Sequence, residues 1–344
     1  YIMKKYLIAV LFLNCLIWKS DGQDAHFSFP DQSPLLLNPG LAGANFSMEA
    51  TVNYRNQWSS LGNPYKTLSA SFHSRLPTKH KFQTNNFALG VQCMNDKAGL
   101  PGVVSNSFSL VAANHVRISR ESKIGLGVNV GYAQRSIDQA NGQWASQYDG
   151  AAYNPGLLSG EVLSNPSFGI LDLGAGLVYT YQHRQSTLAK SMDRFLSGGV
   201  SAFHVNRPQN SFIASGNDQL PIRYVAFMNG EMALGSTSTS VVPGIWYQRQ
   251  GTFSVVLAGA SLRYQIIPET RYTGFSKPTS VSVGLYGRIN DAFVARLVID
   301  YDRYSFGYAF DFNSSGLNDY TTGRGAQEFF LRFKLSEIQP LRTR

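Results

Sequence analysis

Charge is scarce in this chain. Lys, Arg, Asp and Glu make up only 15% of its 344 residues, where about 25% is usual. Disorder is excluded all the same, because aromatics reach 13%, and a disordered chain is rich in charge and poor in aromatics. Cysteine is nearly absent. Of the two, Cys15 lies in the N-terminal apolar run, and removal of that run near Gly22 leaves Cys93 alone, which excludes an intrachain disulfide. Long hydrophobic runs are missing beyond residue 22, so no later segment approaches the roughly 18 residues of a membrane helix. Basic runs are missing too. Lys and Arg number 30 against 21 Asp and Glu, yet no basic run exceeds two residues, and no nucleic-acid motif is present. A nucleic-acid partner is therefore not expected. Dispersed positive charge suits lipopolysaccharide phosphates or a protein partner better.

Catalytic and metal patterns are equally absent. His26, His73, His80, His115, His183 and His204 lack metal-ligand spacing to one another, to Cys or to clustered acids. There is no Gly-x-Ser-x-Gly elbow and no Gly-x-x-x-x-Gly-Lys phosphate loop. The expectation is a non-enzyme with no cofactor.

What is present begins at the N-terminus. Met3-Lys4-Lys5 is a basic start, Tyr6 to Trp18 is apolar, and Ser20-Asp21-Gly22-Gln23 is small and polar. This reads as a secretory signal over residues 1–22. Lipidation at Cys15 is rejected, because Phe12-Leu13-Asn14 offers no small residue before it.

Beyond the signal the dominant period is two. Met48, Ala50, Val52 and Tyr54 share one face of a strand, and Glu49, Thr51, Asn53 and Arg55 the other. Ile124 to Ala133 and Tyr304 to Asn313 alternate in the same way. Segments of about ten residues match membrane-crossing strands better than the usual five or six. The polar faces carry Gly, Ala and Asn with scattered charge, as a barrel lumen would. Trp58, Tyr65, Tyr132, Trp144, Tyr181, Trp246, Tyr264, Tyr301 and Tyr320 suggest an aromatic girdle. The fold expected is an all-β transmembrane antiparallel barrel of about 14 strands.

Candidate strands are 47–58, 66–76, 85–95, 103–118, 123–137, 167–181, 194–204, 222–234, 239–249, 252–264, 279–289, 292–301, 304–313 and 326–335. The barrel spans 46–336, with a tail at 337–344. The stretch 265–278 is long where a short turn is needed, so either a strand is miscounted there or the chain makes a periplasmic excursion. The irregular run 23–45 either covers the periplasmic mouth or tucks into the lumen.

Two registers follow. A two-residue turn at Asp302-Arg303 pairs Asp300 with Ser305 and Arg296 with Ala309, bringing Asp311 diagonal to Arg296 inside the barrel. Closure requires the first strand to pair with the last, because an edge in lipid leaves backbone groups unsatisfied. Glu49 is then expected to face Arg332 or Lys334 across the seam.

Several motifs, in order, resemble the PorP/SprF family, outer-membrane proteins of the type IX secretion system in Bacteroidetes. They are Gln23 to Phe29 with His26, Pro34 to Gly43 with Asn38-Pro39, Asn53-Tyr54-Arg55-Asn56-Gln57-Trp58 followed by Pro64-Tyr65, Asn206-Arg207-Pro208-Gln209, and Gly307-Tyr308-Ala309-Phe310-Asp311. Gly325-Ala326-Gln327-Glu328 departs from that family's Gly-x-His-Glu by lacking the His. The resemblance implies an outer-membrane component or accessory of type IX secretion. Its implied partners are membrane lipids, the secretion machinery, and the C-terminal sorting domain of a secreted, gliding- or adhesin-like cargo. The same residues have structural readings: Asn38-Pro39-Gly40 as a turn, Tyr54 and Trp58 as interface aromatics, Arg55 as a paired lumen charge. A transport barrel for small or hydrophobic solutes is the alternative function.

Overall fold

The computed structural model describes residues 24–61, 63–77, 85–99, 102–137, 142, 144–160, 165–187, 190–213, 218–235, 238–267, 277–316 and 318–335, except that the side chains of 61, 184–187, 190–193 and 319 are not described. The expected signal segment at 1–22 and the expected tail at 337–344 lie outside the described residues.

Fourteen antiparallel strands close into a barrel. They are β1 (Met48–Gln57), β2 (Tyr65–Arg75), β3 (Asn85–Ala98), β4 (Val103–Arg117), β5 (Ser122–Ile137), β6 (Ser167–Thr187), β7 (Lys190–Phe203), β8 (Arg223–Ala233), β9 (Thr239–Gln250), β10 (Phe253–Ile267), β11 (Thr279–Arg288), β12 (Ala292–Tyr301), β13 (Tyr304–Asn313) and β14 (Arg324–Leu335). Each pairs with its neighbours in sequence, and β14 pairs back onto β1 over Met48↔Leu335 to Gln57↔Ala326. No strand edge is left for lipid to meet, which is the condition for spanning hydrocarbon. The count also holds around 265–278, because β10 pairs directly with β11.

Alternation sets the wall's two faces. On β5 the outward Leu126, Val128, Val130 and Tyr132 are exposed, whereas the inward Gly125, Gly127 and Asn129 are buried. One aromatic breaks the expected girdle. Trp246 points inward and is only 6% exposed. It fits there because the inward neighbour Gly244 has no side chain, and its ring lies 5.9 Å from that of Tyr286.

The run before β1 occupies the lumen. It forms three short helical turns, Pro30–Gln32, Pro34–Leu37 and Pro39–Leu41, each started by a proline. Proline suits the first turn of a helix because its missing N–H would have no partner there. Phe29, Leu37 and Leu41 join an apolar cluster with Val178, Phe227 and Phe330 from the inner wall. Of the two placements open for 23–45, the described part, from Asp24 onward, lies inside the barrel.

Both ends of the barrel sequence, at β1 and β14, lie on one rim, called here the terminal rim. It also carries the short β4–β5, β8–β9 and β12–β13 turns. The far rim carries the long β5–β6 and β7–β8 connections.

Candidate functional site

The lumen segment is held to the wall along its length, with four main places from the far rim to the terminal rim. At the far end, Asp24 accepts from His204 Nε2 at 2.6 Å and lies 3.5 Å from the Arg223 guanidinium and 3.7 Å from that of Arg135. His204 Nδ1 faces Asp172 at 2.7 Å. Burial works against charge on His204, yet the carboxylates of Asp24 and Asp172 outweigh it and lift its pKa to about 9. Burial likewise opposes ionisation of Asp24, but His204, Arg223 and Arg135 hold its carboxyl well below the usual range.

The second place is a buried charge cluster. Arg55 donates from Nη2 to Asp311 at 2.9 Å and from Nη1 to Glu328 at 3.2 Å. Arg288 donates to Asp311 at 3.0 Å. The Ser28 hydroxyl sits in the middle. It accepts from Arg55 at 2.5 Å and from Arg288 at 2.9 Å, and donates to Asp311 at 2.6 Å. The Glu328 carboxylate takes the backbone N–H groups of Ser28 at 2.5 Å and Phe29 at 3.0 Å. Two guanidiniums thus meet the buried carboxylates of Asp311 and Glu328, Arg288 also reaches Asp291 at 2.9 Å, and the lumen segment supplies further hydrogen bonds. A buried charge is tolerable only when paired and hydrogen-bonded in this way.

The third place is a slot made of glycine. Asn38 donates from Nδ2 to the carbonyls of Leu177 at 3.2 Å and Val200 at 2.9 Å, and its Oδ1 accepts from the Gly40 N–H at 2.8 Å. A Cβ at Gly176 would collide with the Asn38 side chain, and one at Gly127 with the backbone of Pro39 and Gly40. The inward glycines of β5 and β6 are therefore a recess for the Asn38-Pro39-Gly40 turn. At the terminal rim, Arg75 donates to the Gly43 carbonyl at 2.6 Å, and Lys123 donates to that of Ala44.

The residues singled out from sequence divide accordingly. Arg55 and Asp311 meet in the charge cluster, and Asn38 and Pro39 fill the glycine slot. His26 lies in the lumen segment with its ring 6.3 Å from that of Phe253. Tyr54 and Tyr308 face lipid, Tyr308 against Phe329 with centroids 4.8 Å apart. Gln57 ends β1 beside Trp58, whose ring packs edge-on against Tyr65 at 5.1 Å, one residue after Pro64. Arg207 and Pro208 stand on the far-rim connection, Arg207 at a positive φ of 42°.

The proposed lumen charges keep their register but change partners. Arg296 stands opposite Ala309. Its ion pair is with Asp31 at 3.4 Å rather than Asp311, and its guanidinium lies 3.7 Å over the Tyr286 ring. Asp311 is already taken by Arg55 and Arg288, and Asp31 comes from the lumen segment, which strand pairing could not place. Glu49 stands opposite Lys334. Glu49 nevertheless pairs with His73 at 3.4 Å, while Lys334 reaches Asp300 at 2.8 Å and Arg332 lies 3.8 Å from the same carboxylate. Asp300 sits one strand further round the wall and draws both cations away. Ser28, Asp31, Arg288 and Glu328 were missed as site residues. Arg288 and Glu328 were visible as charges on polar strand faces; the other two lie in a run without period.

No curated protein matches the chain. Among solved structures it is similar to the toluene transporter TbuX of Ralstonia pickettii, with 10% identity over 88% of this chain and 94% of that one and a TM-score of 0.46. It is also similar to BamA from Haemophilus ducreyi lacking POTRA domains 1–3, with 9% identity over 84% of this chain and 70% of that one and a TM-score of 0.44. Residues 19–333 match the family described as type IX secretion system membrane protein PorP/SprF. With a closed barrel whose apolar face turns outward, this places the protein in the outer membrane. The chain belongs to the PorP/SprF family of type IX secretion system membrane proteins.

Proposed function

We propose that the barrel acts by protein–protein contact, as a non-enzymatic component or accessory of type IX secretion that aids export or surface attachment of a cargo protein through its C-terminal sorting domain. The observation that carries this reading is the filled lumen. The chain's own residues 24–46 occupy it and are bonded to the wall at both rims and in between. A protein so filled works through its surfaces.

The far rim supports the same reading. Its ordered stretch 144–160 is braced by Gln147, which donates to the Leu157 carbonyl at 3.0 Å and accepts from the Trp144 N–H at 3.2 Å. This stretch displays Tyr148, Leu157 and Leu158, with Leu158 91% exposed. Apolar side chains held out beyond the membrane belt are characteristic of a protein-binding surface. Among the described residues, the far-rim connections also carry Asp149, Asp218 and Asp291, the last bound by Arg288, against Arg207 as the one Lys or Arg. Such a rim repels lipopolysaccharide phosphates and favours a partner with basic and apolar groups.

Deleting the gene should remove a particular large protein from the cell surface and leave small-solute permeability unchanged. Reinsertion of the intact chain into planar bilayers should give no steady conductance. An intact surface proteome together with reduced solute uptake would overturn the proposal in favour of transport.

A further inference from the structure

The lipid-facing wall over β6–β9 is indented. The outward positions of β7 read Arg194, Leu196, Gly198 and Val200, so one position in the row has no side chain. Around that gap stand Leu177 and Tyr179 of β6, Val200 of β7, Ala226 and Met228 of β8, and Ile245 of β9. They enclose an open groove of about 530 Å³. A groove with this lining does not hold ordered water, which needs several polar partners. At hydrocarbon depth its occupant is apolar.

A second observation gives that occupant a head. Arg194 is exposed on the same outward face of β7, four residues from Gly198 toward the terminal rim. At about 3.3 Å per residue this is about 13 Å along the strand. A guanidinium on the lipid side reaches up to headgroup level and binds phosphate through paired N–H groups. The terminal rim, with its short turns, faces the periplasm in barrels of this kind, which places Arg194 in the inner leaflet.

We propose that the groove over Gly198 is a binding site for one phospholipid of the inner leaflet, with an acyl chain in the groove and the phosphate on Arg194. The acid-rich far rim belongs to the other leaflet, so lipopolysaccharide is the wrong source. The site lies on the outer wall, independent of what the rims bind.

The test is native mass spectrometry of the full barrel, extracted in detergent and stripped of loosely held lipid. The intact chain should retain a phospholipid. Ala226→Leu, whose side chain fills the groove from β8, should lower retention several-fold, as should Ile245→Phe from β9. Arg194→Gln should lower it without filling the groove. Val283→Leu, on the lipid face of β11, should leave it unchanged. Heat-modifiable migration on gels confirms that each variant is folded. The proposal fails if the intact chain retains lipid A, a protein or nothing in place of phospholipid, or if folded groove-filling variants keep as much phospholipid as the intact chain.

Discussion

The lumen segment is held on two sides by different physics. Toward β1, β11, β13 and β14 it is held by charge: Ser28 completes a cluster of Arg55, Arg288, Asp311 and Glu328. Toward β5, β6 and β7 it is held by shape: Asn38-Pro39-Gly40 fills a recess that exists because Gly127 and Gly176 have no Cβ. The charged side tolerates almost no deletion, since each missing partner strands a buried ion. The glycine side tolerates almost no addition, since each extra atom displaces the turn. One segment thus reports two opposite sensitivities to mutation.

The largest effect should come from the charged side. Arg55→Ala leaves Glu328 and part of Asp311 unpaired, and breaking a buried pair costs about 3–5 kcal/mol. Urea unfolding in lipid vesicles should show a loss of that order. Arg55→Lys should not restore it, because one ammonium cannot replace a fork that reaches both carboxylates. A smaller loss for Arg55→Ala than for an addition on the glycine side would invert the comparison.

On the glycine side the expected effect is intermediate and of another kind. Gly127→Leu overpacks the recess, at about 1–3 kcal/mol. It should dislodge the segment while the fourteen strands remain, so protease should cut within 30–46 and bilayer conductance should appear. Strand content measured by circular dichroism should hold. Loss of the barrel itself would show that the slot supports the wall rather than the segment.

The smallest effect is confined to the segment's start. His204 is held charged by Asp24 and Asp172. Its folded pKa of about 9 lies above the ordinary value of about 6.5. The stability it contributes is therefore complete below about pH 6.5 and is lost as pH rises through about 9. Asp24 has a depressed pKa, so its contribution is present above its ordinary value and lost as pH falls. Hydrogen exchange at residues 24–28, corrected for intrinsic rate, should quicken between about pH 6.5 and about pH 9.5, and His204→Gln should abolish that dependence. Equal pH dependence in the variant would show that His204 does not hold the start of the segment.

The same contrast explains what could be read from the sequence. Strands were legible because alternation of residues such as Val128 and Gly127 is imposed by two solvents, hydrocarbon and lumen. The Asp302-Arg303 turn fixed the β12–β13 register for the same reason, since a slip by one would turn Arg296 to lipid. The site was legible only in part. Arg55 and Asp311 stood out as charges on polar faces, but their common partner Ser28 lies in a run whose conformation is set by the wall around it, and no period announces it. Trp246 was misplaced because an aromatic near a strand end is ambiguous until the vacancy at Gly244 is seen. Glu49 and Lys334 met in register yet bonded elsewhere, because long side chains in a lumen choose among several strands, not only the adjacent one.

The Glu328–Ser28 bonds also bear on the order of assembly. They join positions 300 residues apart, one before the first strand and one on the last. Closing so long a loop can reward the chain only after every intervening strand is in place. Yet β14 cannot bring Glu328 inside without burying a carboxylate whose partners are the Arg55 guanidinium and the amides of Ser28 and Phe29. The seating of the segment therefore completes what the zipping of β14 onto β1 begins. The N-terminal run is thus a keystone of the closed seam: without it Glu328 would keep the Arg55 guanidinium across the seam but lose both amide bonds.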